Sequence, residues 1–412
     1  MKQNAYIAGV GMTSFGKHID RTLKSLTVEV VTEALHDASM EKSAIEAAWM
    51  GNVAAGNIVG QVCISGQVAL RSMGIGRIPV INVKNACASA STAFHEAATM
   101  VTAGLHDVVI ATGSEKLYCS DKEKIFSVFT GCLDYEDYDK VVAELDERRR
   151  AAGFTVAEGD AGAGRSVFMD VYATMTAAHM KKYGSTQRHF AAISAKNSRH
   201  GALNPKAQFR EALTIDEVLA AREITYPLTL PMCSPIGDGA AAAIIVSENK
   251  ARSIGLDRCV RIRSTALVSG WDHGPDVPDT VETAAGIAFN DADLGPDDVD
   301  VVELHDAAAP SEIMHSESLG FCAKGDGGIL VESGATEIGG RIPINPSGGL
   351  LRKGHPIGAT GLAQIYELVQ QLRGTAGTRQ VEGARIALAE NGGGFIDDDA
   401  AAMVVSILGR GQ

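Results

Sequence analysis

Cys87 stands where a short β-branched run, Ile81-Asn-Val-Lys-Asn-Ala, gives way to small helix-compatible residues, Ala88-Ser-Ala-Ser-Thr-Ala. A thiol at a helix start sits at the positive end of the macrodipole among free backbone N–H groups. Both are expected to lower its pKa and raise its thiolate fraction. His355 lies at a second junction, Asn345-Pro-Ser-Gly-Gly-Leu-Leu-Arg-Lys-Gly-His-Pro-Ile-Gly-Ala-Thr-Gly361, where clustered glycines and Pro356 read as a turn entering a helix. There the same dipole favours a neutral imidazole, able to take a proton from a thiol or donate a hydrogen bond to an oxygen. His305 and Asp306 close a strand, Val301-Val-Glu-Leu, ahead of a helix opened by Pro310, and carboxyl ends of parallel strands are where α/β sites form. Glu390-Asn391-Gly392-Gly393-Gly394 puts a triple glycine between two strands, and N–H groups in such a turn can form an oxyanion hole. Each segment also has a plain structural reading: a buried cysteine, a glycine turn, a capping pair, a hairpin loop. No GxxxxGK[ST] pattern occurs, which argues against a P-loop NTPase.

The elements that must position these residues alternate. Strands are expected over 5–10, 47–52, 78–83 (short and buried) and 106–111, with helices over 27–38 and 88–103. This is an α/β pattern with a largely parallel sheet. A second half repeats it, with a strand over 260–267, a helix over 280–292 and a strand over 301–304. The stretches near residues 40 and 295 both run helix, acidic turn, short helix, strand, so two similar α/β units are expected, with a site where they converge. Residues 117–235 break the rhythm. Their charged run, DYEDYDKVVAELDERRR, reads as a solvated face, followed by Gly-rich AEGDAGAGRS and an amphipathic helix over 171–182.

The chain has 412 residues, 45% hydrophobic and 5% aromatic, enough for a large core or two domains. Its formal net charge of −13 argues against nucleic acid as the main partner. Seven cysteines, an odd number without any CxxC, form neither a disulfide framework nor a zinc site. The N-terminus lacks a signal-peptide layout, and no apolar run approaches the roughly 18 residues needed to span a bilayer. No membrane association and a reducing cytoplasm are therefore expected.

Taken together, these segments resemble the thiolase family, in order and over nearly the whole chain. The Cys87 segment looks like the thiolase nucleophile helix, Gly354-His-Pro-Ile-Gly-Ala-Thr-Gly361 matches the family's GHPxGxTG, and Cys233-Ser-Pro-Ile-Gly-Asp-Gly-Ala-Ala resembles its Ser…Asp-Gly-Ala-Ala strand entry. His305-Asp306 resembles the sterol-carrier-protein-type thiolases. The resemblance implies a five-layer αβαβα fold from two duplicated α/β halves plus an inserted loop domain. The units would be 1–116 (completed by about 236–258), a loop domain over 117–235, and a C-terminal half over 259–412. It implies a dimer or a dimer of dimers. It also implies a Cys87 acyl-enzyme, with His355 activating Cys87, His305 supporting an oxyanion site, and the N–H groups of Cys87 and Gly392 holding the acyl oxygen. Ser234, Gly354 and Asn391 would lie along the substrate and coenzyme A path. Coenzyme A and acyl-CoA would be substrates, with no covalently bound cofactor and no metal.

The sequence departs from the family in one respect. Thiolases carry a second cysteine that moves the α-carbon proton; its two expected positions here hold Glu390 and Ala307. Burial can raise a carboxyl pKa, so Glu390 is a candidate base. This departure fits degradative thiolysis of a branched, aromatic or steroid-derived β-ketoacyl-CoA. Some such proteins work with a small zinc-ribbon/OB-fold subunit, which here would be a second polypeptide. The competing readings are a ketosynthase-like condensing enzyme, a thiolase-fold aldolase, and a non-catalytic acyl-CoA-binding subunit.

Overall fold

The computed structural model describes residues 2–156, 159–271, 274 and 277–411. Ala157 and Glu158, which open the Gly-rich stretch noted above, lie outside them. Among the described residues, nine strands form one mixed sheet: β1 (Lys2–Met12), β2 (Ala47–Gly51), β3 (Val80–Val83), β4 (Val108–Glu115), β5 (Gly239–Ser247), β6 (Val260–Val268), β7 (Val301–Glu303), β8 (Ile386–Gly393) and β9 (Ala402–Arg410). Their order is β3-β2-β4-β5-β1-β6-β9-β8-β7.

The two halves of that order have one plan. From β1, β5 and then β4 follow antiparallel, and β2 and β3 follow parallel. From β6, β9 and then β8 follow antiparallel, and β7 follows parallel, with Ile344 bridging Val302 where a fifth strand would lie. The halves join where β1 pairs antiparallel with β6.

Helices make the remaining layers. Helix α1 (Leu23–Asp37) covers the outer face of the first half, and Thr22 and Ser25 cap it reciprocally. Helices α2 (Ser89–Thr102) and α8 (Thr360–Arg373) lie between the halves, packed on each other and on strands of both. Helix α6 (Thr280–Ala292) covers the second half from outside, and α7 (Ala309–Ser318) packs beside it. The result is the αβαβα stack.

Strand β5 explains how the layers fit. It reads Gly-Ala-Ala-Ala-Ala-Ile-Ile-Val, with Ala241, Ala243 and Ile245 facing the central layer and Ala240, Ala242 and Ile244 facing the outer one. A strand buried on both faces has no polar side to alternate with, and alanines let helices approach closely on each. Between β4 and β5 run α3 (Tyr138–Ala151), α4 (Val167–Tyr183) and α5 (Gln187–Leu203).

Four expectations are corrected. The sheet is not largely parallel: five of its eight described strand pairings are antiparallel, because its central strands meet head to tail across and beside the join of the halves. The 78–83 strand is not buried: β3 is an edge strand with only Val83 buried. The Glu390 segment is not a turn, since β8 continues through Gly393 and only Gly394 lies beyond it. The charged run is only partly a solvated face, because Asp146 and Arg149 of α3 are buried. Arg149 contacts Asp160 and Asp170, which Arg165 also binds, and this network braces the start of α4.

Among the described residues, no helix is long and apolar enough to cross a membrane. Phe94 of α2 is fully buried in the central layer. Phe94→Ala should lower unfolding stability by about 3–5 kcal/mol, read from denaturant midpoints.

Candidate active site

Cys87 is presented by a tight turn between β3 and α2. Ala86 takes the left-handed conformation, with φ of 45°. Ser89 closes the turn: its hydroxyl accepts from the Asn85 N–H (2.8 Å) and donates to the Ala86 carbonyl (2.7 Å). Across from it, a Cβ on Gly393 would lie 2.2 Å from the Asn85 oxygen and 2.5 Å from the Ala88 nitrogen. The helix itself starts two residues after Cys87. The thiol is buried, and burial pushes its pKa well above the ordinary value, with nearby Cys132 and Glu115 adding to the rise. The expected depression by the helix dipole is therefore reversed, because desolvation of a thiolate outweighs partial charges a turn away.

His355 faces this thiol, with Nε2 3.3 Å from Cys87 Sγ. Its Nδ1 is 2.8 Å from Thr360 Oγ1, and that hydroxyl donates to the Pro356 carbonyl at 3.1 Å. With its own proton so used, Thr360 accepts from Nδ1–H, which leaves the Nε2 lone pair aimed at Cys87. Burial, with Lys353 nearby, lowers the His355 pKa to about 3. The imidazole is neutral as expected, but burial rather than a helix terminus is the main cause, since α8 begins only at Thr360. The resting pair is thus S–H facing a neutral nitrogen.

Glu115 fixes the loop that carries His355. Its carboxyl accepts from the N–H groups of Gly358 (2.9 Å), Ala54 (2.9 Å) and Val53 (3.1 Å) and from the Asn52 amide (2.9 Å). Burial raises its pKa to about 7 despite these bonds. Sequence reasoning missed Glu115 and Thr360. The i+5 spacing of Thr360 from His355 was visible, whereas Glu115 simply ends an ordinary strand.

His305 stands beside His355, with ring centroids 5.2 Å apart, and burial followed by the His355 charge lowers its pKa to about 3. Its Nε2 is buried without a partner among the described residues. Sγ of Cys87 and one nitrogen of each histidine lie within 4.8 Å of one another, a spacing that a metal ion could use only by displacing the thiol proton. Asp306 points elsewhere: it accepts from the Leu350 N–H (2.7 Å) and the Asn197 amide (2.8 Å), tying the segment before His355 to α5.

Glu390 reaches the same cluster from β8. Its Oε2 accepts from the His305 backbone N–H (2.9 Å) and from Nδ1–H of His315 (3.0 Å), while Oε1 is buried without a partner among the described residues. Burial raises its pKa, but the His315 charge and hydrogen bond overcome that and hold it below the ordinary value. The expectation of a raised carboxyl is overturned by His315, with His305 acting in the same direction. His315, on α7 and ten residues past His305, was missed by sequence reasoning.

Two cavities meet at Cys87. One, of about 440 Å³, is lined by His355, Ser234, Ile236, Phe129 and Arg222 among others. The other, of about 280 Å³, is lined by His305, His315, Gly392, Met175 and Met403 among others. Phe168 and Tyr172 of α4 line both. The structure thus gathers Cys87, His355, His305, Gly392 and Ser234, with Glu390 behind His305 and His315. Gly354 and Asn391 are not among the lining residues. Gly354 packs against Phe15 and Gln208, and Asn391 accepts from Ser91 (2.6 Å).

Thr360→Val removes the acceptor that sets the His355 tautomer. A lost hydrogen bond of about 1.4 kcal/mol corresponds to roughly tenfold lower kcat, with the fold unchanged by circular dichroism. Alkylation of Cys87 by iodoacetamide, followed by peptide mass, should keep accelerating above pH 9, because burial holds the thiol protonated there.

Residues 5–218 match the family model described as thiolase, N-terminal domain, and residues 275–410 match the one described as thiolase C-terminal domain-like. An acetyl-CoA acetyltransferase of Methanothermobacter thermautotrophicus is 38% identical over 393 residues, covering 94% of this chain and 96% of that protein. Human sterol carrier protein 2 is 38% identical, covering 94% of this chain and 70% of that protein. Benzoylsuccinyl-CoA thiolase subunit BbsB of Thauera aromatica is 32% identical and covers 96% of each. The solved Ltp2-ChsH2(DUF35) aldolase superposes with a TM-score of 0.78 at 24% identity, over 99% of this chain and 98% of that one, a likeness in fold. With family models matched over most of its length and relatives of this similarity, the chain belongs to the thiolase family and is an acyltransferase.

Proposed function

We propose that this protein cleaves a β-ketoacyl-CoA with coenzyme A through an acyl group carried on Cys87. The observation that carries the reading is the 3.3 Å approach of His355 Nε2 to Cys87 Sγ at the meeting of two cavities. His355 takes the thiol proton as sulfur attacks the keto carbon. The C2–C3 bond breaks, leaving an acyl group on sulfur, and the electron pair stays on C2 of the departing acyl-CoA, where a proton is added. Coenzyme A then takes the acyl group and Cys87 regains its proton. In this reading, the N–H groups of Cys87 and Gly392 hold the acyl oxygen, and His355 and His305 hold the thioester oxygen of the departing acyl-CoA. The unpartnered His305 Nε2 is consistent with such a role.

The larger cavity, with Ser234 on its wall, suits the pantetheine arm, and the smaller one, edged by Phe168, Met175 and Met403, suits the acyl group. The mainly apolar lining supports a branched, aromatic or steroid-derived chain, as does a relative named for benzoylsuccinyl-CoA. A small partner polypeptide is supported by a relative named as a subunit and by the solved aldolase neighbour, which is named for two proteins. That neighbour favours aldol cleavage as a second reading, which would leave the Cys87–His355 pair without a task. The exposed edge of β3, beside exposed Val59, Val62 and Ile64, suits pairing with a second copy. A cytoplasmic place remains part of the proposal.

A panel of acyl-CoAs with free coenzyme A tests the reaction. Wild type should turn over and show an acyl adduct by intact mass. Cys87→Ala should lose turnover by at least about 1000-fold and show no adduct. Equal activity in the variant refutes the mechanism.

A further inference from the structure

Thiolysis must move a proton at C2 of the departing acyl-CoA, and the position where the family keeps a second cysteine holds Glu390. The groups near Cys87 differ sharply in fitness for that task. Glu390 is held below the ordinary carboxyl range, and its Oε2 already receives two hydrogen bonds. Cys132 is close enough to raise Cys87, yet burial drives its own pKa to about 12. Its sulfur contacts the Val128 carbonyl, and it is not among the cavity-lining residues. Burial also keeps the Tyr172 phenol protonated. Burial holds His305 and His355 neutral at rest, and His355 is already engaged with the Cys87 thiol. His315 alone among these groups combines cavity contact, a fixed tautomer and a basicity above the usual histidine value.

The geometry points to His315, oriented by Glu390, as the acid/base that exchanges the α-carbon proton of the acyl-CoA, in place of the absent second cysteine. Nδ1–H is given to Glu390 Oε2, so Nε2 is the nitrogen left for a ligand in the cavity shared with Cys87, His305 and Gly392. A carboxylate behind an imidazole fixes its orientation and stabilises the protonated form. In the cleavage direction, imidazolium Nε2–H gives its proton to C2 as the C2–C3 bond breaks. Its vacated lone pair then takes the thiol proton of coenzyme A, whose sulfur attacks the acyl-enzyme. Cys87 leaves as thiolate and recovers its proton from His355, so every proton is accounted for and no other reactant is needed. In the reverse direction, neutral His315 removes a C2 proton. Glu390 is thus a positioning residue.

This inference rests on the thiolase reading, and the test separates the two. Propionyl-CoA in D2O gives two readouts: the acyl adduct on Cys87 by intact mass, and loss of C2 protons by NMR. Wild type is expected to give both. His315→Ala should keep acylation by p-nitrophenyl propionate, whose leaving phenolate needs no proton from the enzyme, within about threefold, but should lose exchange on propionyl-CoA by at least about 100-fold. Free imidazole should restore part of that exchange, a rescue that a structural role would not give. His315→Gln, checked by thermal unfolding, serves if the alanine variant fails to fold, and Cys132→Ala should exchange as wild type does.

The pH profile adds an independent readout. Burial lowers the His315 pKa, but Glu390 and, more weakly, Asp279 raise it against the opposing Lys324, and the net shift is upward. Exchange needs the neutral form, so its rate should rise with pH through a midpoint above that of an ordinary histidine. Glu390→Gln should move the midpoint to lower pH. Full exchange by His315→Ala with acylation intact overturns the assignment to His315. Absence of acylation in wild type overturns the thiolase reading, and this inference falls with it.

Discussion

The site depends on close backbone approach where two helix starts meet. A methyl on Gly361, at the first turn of α8, would lie 1.8 Å from the Ser91 hydroxyl and 2.7 Å from the Ser91 nitrogen of α2. One on Gly113 of β4 would lie 2.4 Å from the carbonyl of Gly358 in the His355 loop. Protein interiors pack too densely to absorb such additions without displacing backbone. The distance between Cys87 and His355 is therefore set by the absence of side chains, and the small residues around both serve as spacers of zero length.

Burial then determines the chemistry. It disfavours charge on Cys87, His355 and His305 alike, so the resting site is a set of neutral groups whose charges appear only as bonds rearrange. The surrounding charges are paired: Lys353 with Glu303 at 2.8 Å, and Lys196 with Glu312 at 2.7 Å, all four buried. An unpaired ion in such surroundings costs several kcal/mol. Lys353 and Glu303 belong to the segments carrying the two site histidines, so this pair also fixes one against the other. His315 and Glu390 are the exception at the cavity wall, where each favours the charged form of the other.

Much of this was legible in the sequence because it is local. The Cys87 turn, the glycines before His355 and the end of β7 at His305 each announce themselves within a dozen residues, and the repeated plan of the two halves follows from periodicity. Pairings across the chain were not legible. Glu115 and Gly358 are 243 positions apart, and His315 and Glu390 are 75. The pKa of Cys87 also went astray, since a helix start is visible in sequence but the surrounding desolvation is a property of the assembled layers. The exposure of β3 was hidden likewise: a β-branched run reads alike at the centre or the edge of a sheet.

The repeated strand order has a consequence for ancestry. Helices α2 and α8 occupy equivalent places in the two halves, and Cys87 and His355 stand just ahead of them. A half-length ancestor assembling as a symmetric pair would carry one residue type at both places, two thiols or two imidazoles facing each other. A thiol opposed to an imidazole requires that the copies diverge, and joining them in one chain guarantees that each thiol meets its unlike partner. A single chain that carries both halves makes that chemical asymmetry heritable.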